Sequence, residues 1–212
     1  MEEQTARRIY FVRHASPEIE AGIYYGGGTA LPLSYDGTLQ ARALGAKIGI
    51  NPTNIYTSTM LRARQTAELM FPSRKESIRE AEGLQEIFMG EWECKTFDEV
   101  RSKWKETFEI PGKEFADCCC PGGETFRQVQ TRAVNALEKL LEETEGDLLV
   151  VFHGGVIWTL LCHYFDFNLN KVFFYPMQYC SVCELEKNQY GMRLVRFNWT
   201  PELASTGGGW TK

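Results

Sequence analysis

Two of the chain's three histidines stand directly behind apolar runs. Ile9-Tyr10-Phe11-Val12 leads into Arg13-His14-Ala15-Ser16, and Leu148-Leu149-Val150-Val151-Phe152 leads into His153-Gly154-Gly155. Both runs have the β-favouring composition of a buried strand, so each histidine falls at a strand's carboxyl end. Open α/β sheets collect their ligands at that end. The repeated placement predicts that His14 and His153 meet. The plainer alternative is two separate imidazoles, each satisfied at its own strand end. A third short strand, Ile55-Tyr56-Thr57, runs through Ser58 into a helical pattern marked by Ala63, Thr66, Ala67 and Met70. Arg62 falls near the first turn of that helix. A cation there runs against the helix dipole, which suits an arginine with an anion to bind. A solvated arginine is the competing reading.

Such residues can handle a phosphoryl group. Arginines offer planar, permanently charged donors matched to phosphate oxygens. A neutral imidazole whose tautomer is fixed by a hydrogen bond at one nitrogen can attack phosphorus with the other. His153 and the backbone around Gly154 can stabilise the equatorial oxygens as charge shifts. A carboxylic acid must then protonate the leaving oxygen. Glu86, in the apolar setting Leu84-Gln85-Glu86-Ile87-Phe88-Met89-Gly90, is the candidate. Arg13 and Arg62 supply the positive charge, so this chemistry requires no metal and no other cofactor.

These segments together resemble the histidine phosphatase superfamily, also called phosphoglycerate-mutase-like. Arg13-His14-Ala15 matches the family's Arg-His-Gly opening. Ser58 through Ala67 matches S-x-x-x-R-A-x-x-T-A with Arg62 in place. Leu84, Glu86, Gly90, Trp92 and Glu93 match L-x-E…G-x-W-E, and His153-Gly154-Gly155 matches the late His-Gly-Gly. Leu31-Pro32-Leu33-Ser34…Gly37…Gln40-Ala41 fits the linking element. The match runs in order over roughly residues 8–160. It implies that His14 becomes a phosphohistidine, that Arg13, Arg62, His153 and Gly154 hold the phosphate, and that Glu86 protonates the leaving group and later activates water.

Two departures stand out: Ala15 replaces the usual glycine, and Trp158 sits where many members carry arginine. Met89-Gly90-Glu91-Trp92-Glu93 stands where the family's mutases have Glu-Arg-His-Tyr-Gly, which favours a phosphatase over a phosphoglycerate mutase. Tyr25 to Leu33 resembles the loop of the α-ribazole phosphatase branch, with Ala30 at its usual aspartate. The implied substrate is a small phosphorylated metabolite, with α-ribazole 5′-phosphate and sugar phosphates as candidates. A non-catalytic phosphate binder on the same fold is the remaining alternative.

The elements that must position these residues alternate strand and helix. They predict an α/β fold: a three-layer α/β/α sandwich with a mostly parallel central sheet. Ser34 reads as the N-cap of a helix reaching about Ile50, and Thr125…Gln128 has capping-box spacing before an amphipathic helix ending near Gly146. Another helix runs from Val156 to Tyr164, and two late strands cover about 179–186 and 192–197. Residues 94–124 look irregular and carry Phe97, Trp104, Phe108 and Phe115, whose rings are either a cap over the pocket or ordinary core. The tail with Gly207-Gly208-Gly209 reads as loose. The whole 212 residues read as one domain with that small inserted cap.

Composition narrows the classes. A net charge of −5 without a long basic run argues against nucleic acid as partner. No apolar stretch approaches the ~18–20 residues of a membrane span, and the acidic opening Met1-Glu2-Glu3-Gln4 does not read as a signal peptide. A cytoplasmic monomer or homodimer is expected. Seven cysteines, an odd number, include Cys118-Cys119-Cys120 and the C-x-x-C pair Cys180 and Cys183. On a strand that pair faces opposite sides, so reduced structural thiols are favoured over a zinc or redox site.

Overall fold

The apolar runs form strands of one sheet. The computed structural model describes residues 6–105, 115–171 and 176–201. Strands β1 (Arg7–Arg13), β2 (Asn54–Ser58), β3 (Ile78–Ala81), β4 (Leu148–Phe152), β5 (Val182–Asn188) and β6 (Gly191–Trp199) lie in the order β3-β2-β4-β1-β5-β6. The block β3-β2-β4-β1 is parallel, while β5 and β6 add antiparallel strands beside β1. Helices α1 (Tyr35–Lys47), α2 (Leu61–Met70), α3 (Phe97–Lys103), α4 (Phe126–Glu143) and α5 (Gly154–Tyr164) connect or flank them. This is the expected α/β sandwich with a mixed, largely parallel sheet.

The two-residue period of the strands explains the layers. Ile9 and Phe11, with Leu148, Val150 and Phe152, pack on Val129, Ala133 and Leu137 of α4 and on Val156, Ile157 and Leu160 of α5. The intervening Tyr10, Val12, Leu149 and Val151 meet Ala41 and Leu44 of α1 and Ala63, Ala67 and Met70 of α2. Strands covered on both faces must be apolar at every position, hence the unbroken runs. Phe11 and Phe152 meet edge to face at 5.3 Å with no exposed surface. Truncating either to alanine is expected to cost about 3–5 kcal/mol.

Several local signals are realised. Ser34 Oγ accepts from the Gly37 amide at 3.0 Å, capping α1. Thr125 and Gln128 form the reciprocal capping box of α4. The described parts of the 94–124 segment, residues 94–105 and 115–124, are more regular than their composition predicts. Thr96 and Glu99 form a second capping box that starts α3, and Trp92, Val100 and Cys120 build a small satellite core with Tyr24, Met89 and Trp104. Phe97 meets Tyr24 at a tilt with ring centroids 4.6 Å apart, and Phe115 lies 5.3 Å from Phe126. Phe108 and the Gly207–Gly209 tail lie outside the described residues.

The late strands differ in their bounds. β5 starts at Val182, not 179, because Cys180 has the left-handed φ of 56° and so sits in a turn. Cys180 and Cys183 do pack into opposite faces of the sheet. Burial pushes their thiols up to about 12 and about 11, which keeps both protonated and unreactive. Ala15 is fully buried, and its methyl packs on the α1/α2 side of the sheet with no positive φ. Trp158 is buried in the opposite core, with Phe197 at 5.1 Å. Among the described residues no helix is long and apolar enough to cross a membrane.

Candidate active site

Strands β2, β4 and β1 are neighbours and parallel, so their carboxyl ends lie side by side. Chain order reverses direction across β4, with α1 and α2 on one face and α4 and α5 on the other. That is the crevice where doubly wound sheets bind ligands. The end of β1 is tied on three sides. The His14 amide donates to Phe152 O at 2.9 Å, the Arg13 amide donates to Ser181 O at 3.0 Å, and the Cys180 amide donates to His14 O at 3.3 Å. Thr66 Oγ1 then accepts from the Ala15 amide at 3.0 Å and donates to Arg62 O at 2.7 Å. The nucleophile candidate and the first turn of α2 are thereby held in register.

The structure brings the expected residues together. The rings of His14 and His153 are 5.0 Å apart between centroids. Arg62 Nε donates to His14 Nε2 at 3.3 Å, while its two Nη atoms donate to Thr29 O at 3.1 Å and Gly26 O at 3.2 Å. His14, Arg62 and His153 are 4%, 3% and 0% exposed. Arg13 points its guanidinium at the Met177 carbonyl and lies against Gly154. Both α2 and α5 begin here without a side-chain cap, so two electropositive helix ends face the same space.

Burial, together with the guanidinium charges of Arg62 and Arg13, holds the His14 imidazole far below the usual histidine range. His153 is lowered in the same way, by burial first and then by His14, Arg62 and Arg13. Both rings are neutral at pH 7. The His14 tautomer follows from its neighbours: Nδ1 lies 2.7 Å from the Ala15 carbonyl, which can only accept. Nδ1 therefore carries the proton and Nε2 the lone pair, which is also what the Arg62 Nε donor requires. His153 Nε2 is 2.7 Å from Ser58 Oγ, and its buried Nδ1 has no partner.

Glu86 arrives from the segment after β3. Its carboxylate accepts from the Ile87 amide at 3.0 Å and from the Gly155 amide in the first turn of α5 at 3.4 Å. A side chain on Gly155 would place its first carbon 2.6 Å from Glu86 Oε1, so only glycine allows this approach. Behind it, Arg132 of α4 donates to the carbonyls of Gly83, Gln85 and Glu86 and pairs with Glu124 at 2.8 Å. The acid's backbone is thus clamped to α4. The expected residues Arg13, His14, Arg62, Glu86, His153 and Gly154 form one connected cluster: Arg62 bonds His14, His14 faces His153, Arg13 lies against Gly154, and the Glu86 charge acts on both Arg13 and Arg62.

Four further residues shape it. Ser58 fixes His153, and Thr66 joins the two loops. Glu93 gathers the amides of Gly26, Gly28 and Met89 and the hydroxyl of Thr29 on one carboxylate at 2.6–3.2 Å. It therefore shapes the loop whose carbonyls hold Arg62. Tyr179 lays its ring 3.9 Å from the Arg13 guanidinium carbon and 5.6 Å from the His14 ring. Ser58, Thr66 and Glu93 fall inside the sequence motifs, and only their partners were unreadable there. Tyr179 carries no motif, and its role depends on where the turn before β5 lies.

The comparisons agree with this geometry. Residues 9–200 match the family model of the histidine phosphatase superfamily, branch 1. The chain is 27% identical over 205 residues to rat 6-phosphofructo-2-kinase/fructose-2,6-bisphosphatase 1, covering 95% of this chain but 42% of that protein. It therefore spans about two-fifths of that relative's length. It is 25% identical over 156 residues to the adenosylcobalamin/alpha-ribazole phosphatase of Escherichia coli, covering 73% of this chain and 77% of the relative. The solved structure of Bacillus stearothermophilus YhfR superposes with a TM-score of 0.77 at 30% identity, over 89% of this chain and 95% of that one. Motif order, converging strand ends and the family match lead to one assignment: the chain belongs to the histidine phosphatase superfamily, branch 1.

Proposed function

We propose that this protein is a metal-independent phosphomonoester hydrolase that works through a phosphohistidine at His14. The observation that carries the reading is the fixed tautomer of a neutral, buried imidazole, with Nδ1 on the Ala15 carbonyl and the Nε2 lone pair toward Arg62. A histidine so held is a nucleophile without any prior deprotonation.

On substrate entry, the Arg62 Nε–H exchanges its bond to Nε2 for a phosphoryl oxygen. The Nε2 lone pair then attacks phosphorus, and the P–O ester bond breaks with its electrons going to the leaving oxygen. The Glu86 carboxyl gives that oxygen its proton. Arg13, Arg62, His153 and the Gly154 amide region hold the equatorial oxygens. Water next attacks the phosphohistidine and loses a proton to the Glu86 carboxylate. The P–N bond breaks, the lone pair returns to Nε2, and inorganic phosphate leaves.

The substrate in this proposal is a small phosphorylated metabolite, with α-ribazole 5′-phosphate the first candidate and sugar phosphates next. Support for the former is the Tyr25 to Leu33 loop and the similarity to the Escherichia coli phosphatase. The mutase reading loses ground because no extra arginine follows Glu86 in Met89-Gly90-Glu91-Trp92-Glu93. The 94–124 segment acts as the cap of a single domain. Its support is the bridge of Ile23 to Thr96 and the amide bonds from Tyr24 to Lys95 O and from Cys94 to Tyr24 O, which join it to the Gly26–Thr29 loop. The protein works in the cytoplasm as a monomer or homodimer, with neither nucleic acid nor membrane as partner.

The test is p-nitrophenyl phosphate hydrolysis in excess EDTA, with His14→Ala alongside and an alkaline denaturing quench to trap the phosphoenzyme, followed by α-ribazole 5′-phosphate and sugar phosphates as substrates. Turnover that survives chelation, vanishes in the variant and leaves an acid-labile phosphate on His14 is the expected result. An inactive parent returns the protein to the phosphate-binder reading, and a variant that keeps its rate removes the phosphohistidine from His14.

A further inference from the structure

Arg13 is held unlike Arg62. All three nitrogens of the Arg62 fork have protein acceptors. Arg13 has the Met177 carbonyl for one Nη, and among the described residues its buried Nε has no hydrogen-bond partner. Beyond that carbonyl, the side-chain polar contact that steadies its plane is with Tyr179. Two close neighbours also limit it. One is the backbone of Gly154, where a first side-chain carbon would stand 3.2 Å from Arg13 Nε and 3.3 Å from its Cδ. The second is the face of Tyr179, 3.9 Å from the guanidinium carbon.

The turn that carries Tyr179 is itself fixed. Cys180 takes a left-handed φ of 56° and sends its amide to the His14 carbonyl. From the far edge of the sheet, Asn198 accepts from the Gln178 amide at 2.9 Å and donates to Pro176 O at 3.2 Å. Residues 176–180 therefore deliver two contacts to one guanidinium, the Met177 carbonyl and the Tyr179 ring, while anchored to the nucleophile's own peptide. The Tyr179 phenol also favours the charged form of both Arg13 and Arg62, against the burial that lowers them.

We propose that Tyr179 is a positioning residue for phosphate binding: its ring face presses the Arg13 guanidinium against Gly154 and so aims the Nε–H and the other Nη at the phosphoryl oxygens. This inference rests on the phosphatase reading for its purpose, and on the geometry alone for the stack. Cation–π contacts of this kind change an equilibrium by about 3- to 30-fold, more when desolvated.

The test uses the full chain, its Tyr179→Phe and Tyr179→Leu variants, and orthovanadate as the phosphate probe. Binding by calorimetry, KM and kcat on p-nitrophenyl phosphate, and melting temperature are measured for each. The Nε–H resonance of 15N-arginine-labelled protein is recorded without ligand and identified by its loss in Arg13→Lys. The expected result is that Tyr179→Leu moves that resonance, weakens orthovanadate by about 10-fold and raises KM in step, while kcat falls less than about threefold. Tyr179→Phe, which keeps the ring, stays within about threefold of the parent. A leucine variant that binds orthovanadate as the parent does, or an unmoved Arg13 resonance, overturns the proposal. A phenylalanine variant as weak as leucine also overturns it, because the hydroxyl would then be the active part. A parent that binds no orthovanadate and turns nothing over, yet shows the Arg13 resonance moved by leucine, overturns the phosphatase reading and upholds the stack.

Discussion

Ser58 Oγ and His153 Nε2 lie 2.7 Å apart at the ends of adjacent strands, and neither residue has exposed surface. Ser58 Oγ also takes the Met60 amide at 3.4 Å, so the hydroxyl has its own proton left for Nε2, and the proton of His153 then sits on Nδ1. Among the described residues, Ser58 is the one group bonded to the His153 ring, and Ser58→Ala removes it. Leaving one buried ring nitrogen unsatisfied costs about 1–3 kcal/mol. The expected outcome is a loss of that order in a denaturant titration, together with a fall of about 5- to 100-fold in kcat/KM. An alanine variant with parental kcat/KM would show that the serine has no part in orienting His153.

Glu86 accepts from the Ile87 and Gly155 amides, so a glutamine of the same shape retains half of that anchoring and loses the transferable proton. General acid catalysis contributes about 10²–10⁴-fold when the leaving oxygen is basic, and little when it is not. Glu86→Gln is therefore expected to depress kcat strongly on an alkyl phosphate and weakly on p-nitrophenyl phosphate. Equal losses on the two substrates would remove Glu86 from the proton-donor role.

Burial first, and then the neighbouring charges, push both site histidines well below the ordinary histidine value of 6.5. Their contribution to stability is therefore complete above the unfolded value near 6.5 and is lost as pH falls from there through the folded values, since the unfolded chain takes up protons first. The chain should lose melting temperature on acidification below about pH 6.5, and His14→Gln should flatten that slope. The same shift moves the acid limb of kcat/KM below the ordinary histidine range, because Nε2 stays unprotonated there. An acid limb centred at 6.5 or above would contradict it.

Glu93 takes four donors on two oxygens, the Gly26, Gly28 and Met89 amides and the Thr29 hydroxyl. A glutamine keeps one oxygen and turns an NH2 group toward amide donors. Glu93→Gln is expected to destabilise the protein by about 1–3 kcal/mol. By loosening the Gly26 and Thr29 carbonyls that hold Arg62, it should also raise KM more than it lowers kcat. Steady-state kinetics beside thermal melts separates the two effects, and a variant with parental KM would confine Glu93 to stability.

Much of this was readable in the chain. Ile9–Val12 and Leu148–Phe152 announce themselves because a strand covered on both faces can afford no polar position. Thr125 with Gln128 marks the start of α4 by local chemistry alone. Thr96 with Glu99 is the same signal, hidden because the surrounding aromatics break the helical period. The start of β5 misleads for another reason. Tyr179-Cys180-Ser181 has strand composition, yet the Cys180 amide must reach the His14 carbonyl, and that tertiary bond forces a left-handed residue into the run. The expected site residues were legible because strand ends are. Tyr179 was not, since nothing local says that a guanidinium separated from it by most of the chain will lie across its ring.

The peptide of His14 is stitched on one side to Phe152 and on the other to Cys180. The nucleophile therefore has its geometry only once β1, β4 and the turn before β5 have all come together across a long loop closure. Turnover is in this sense a witness to completed folding: partly folded chains that already show helical circular dichroism should be inert, and during refolding activity should return with the slowest phase.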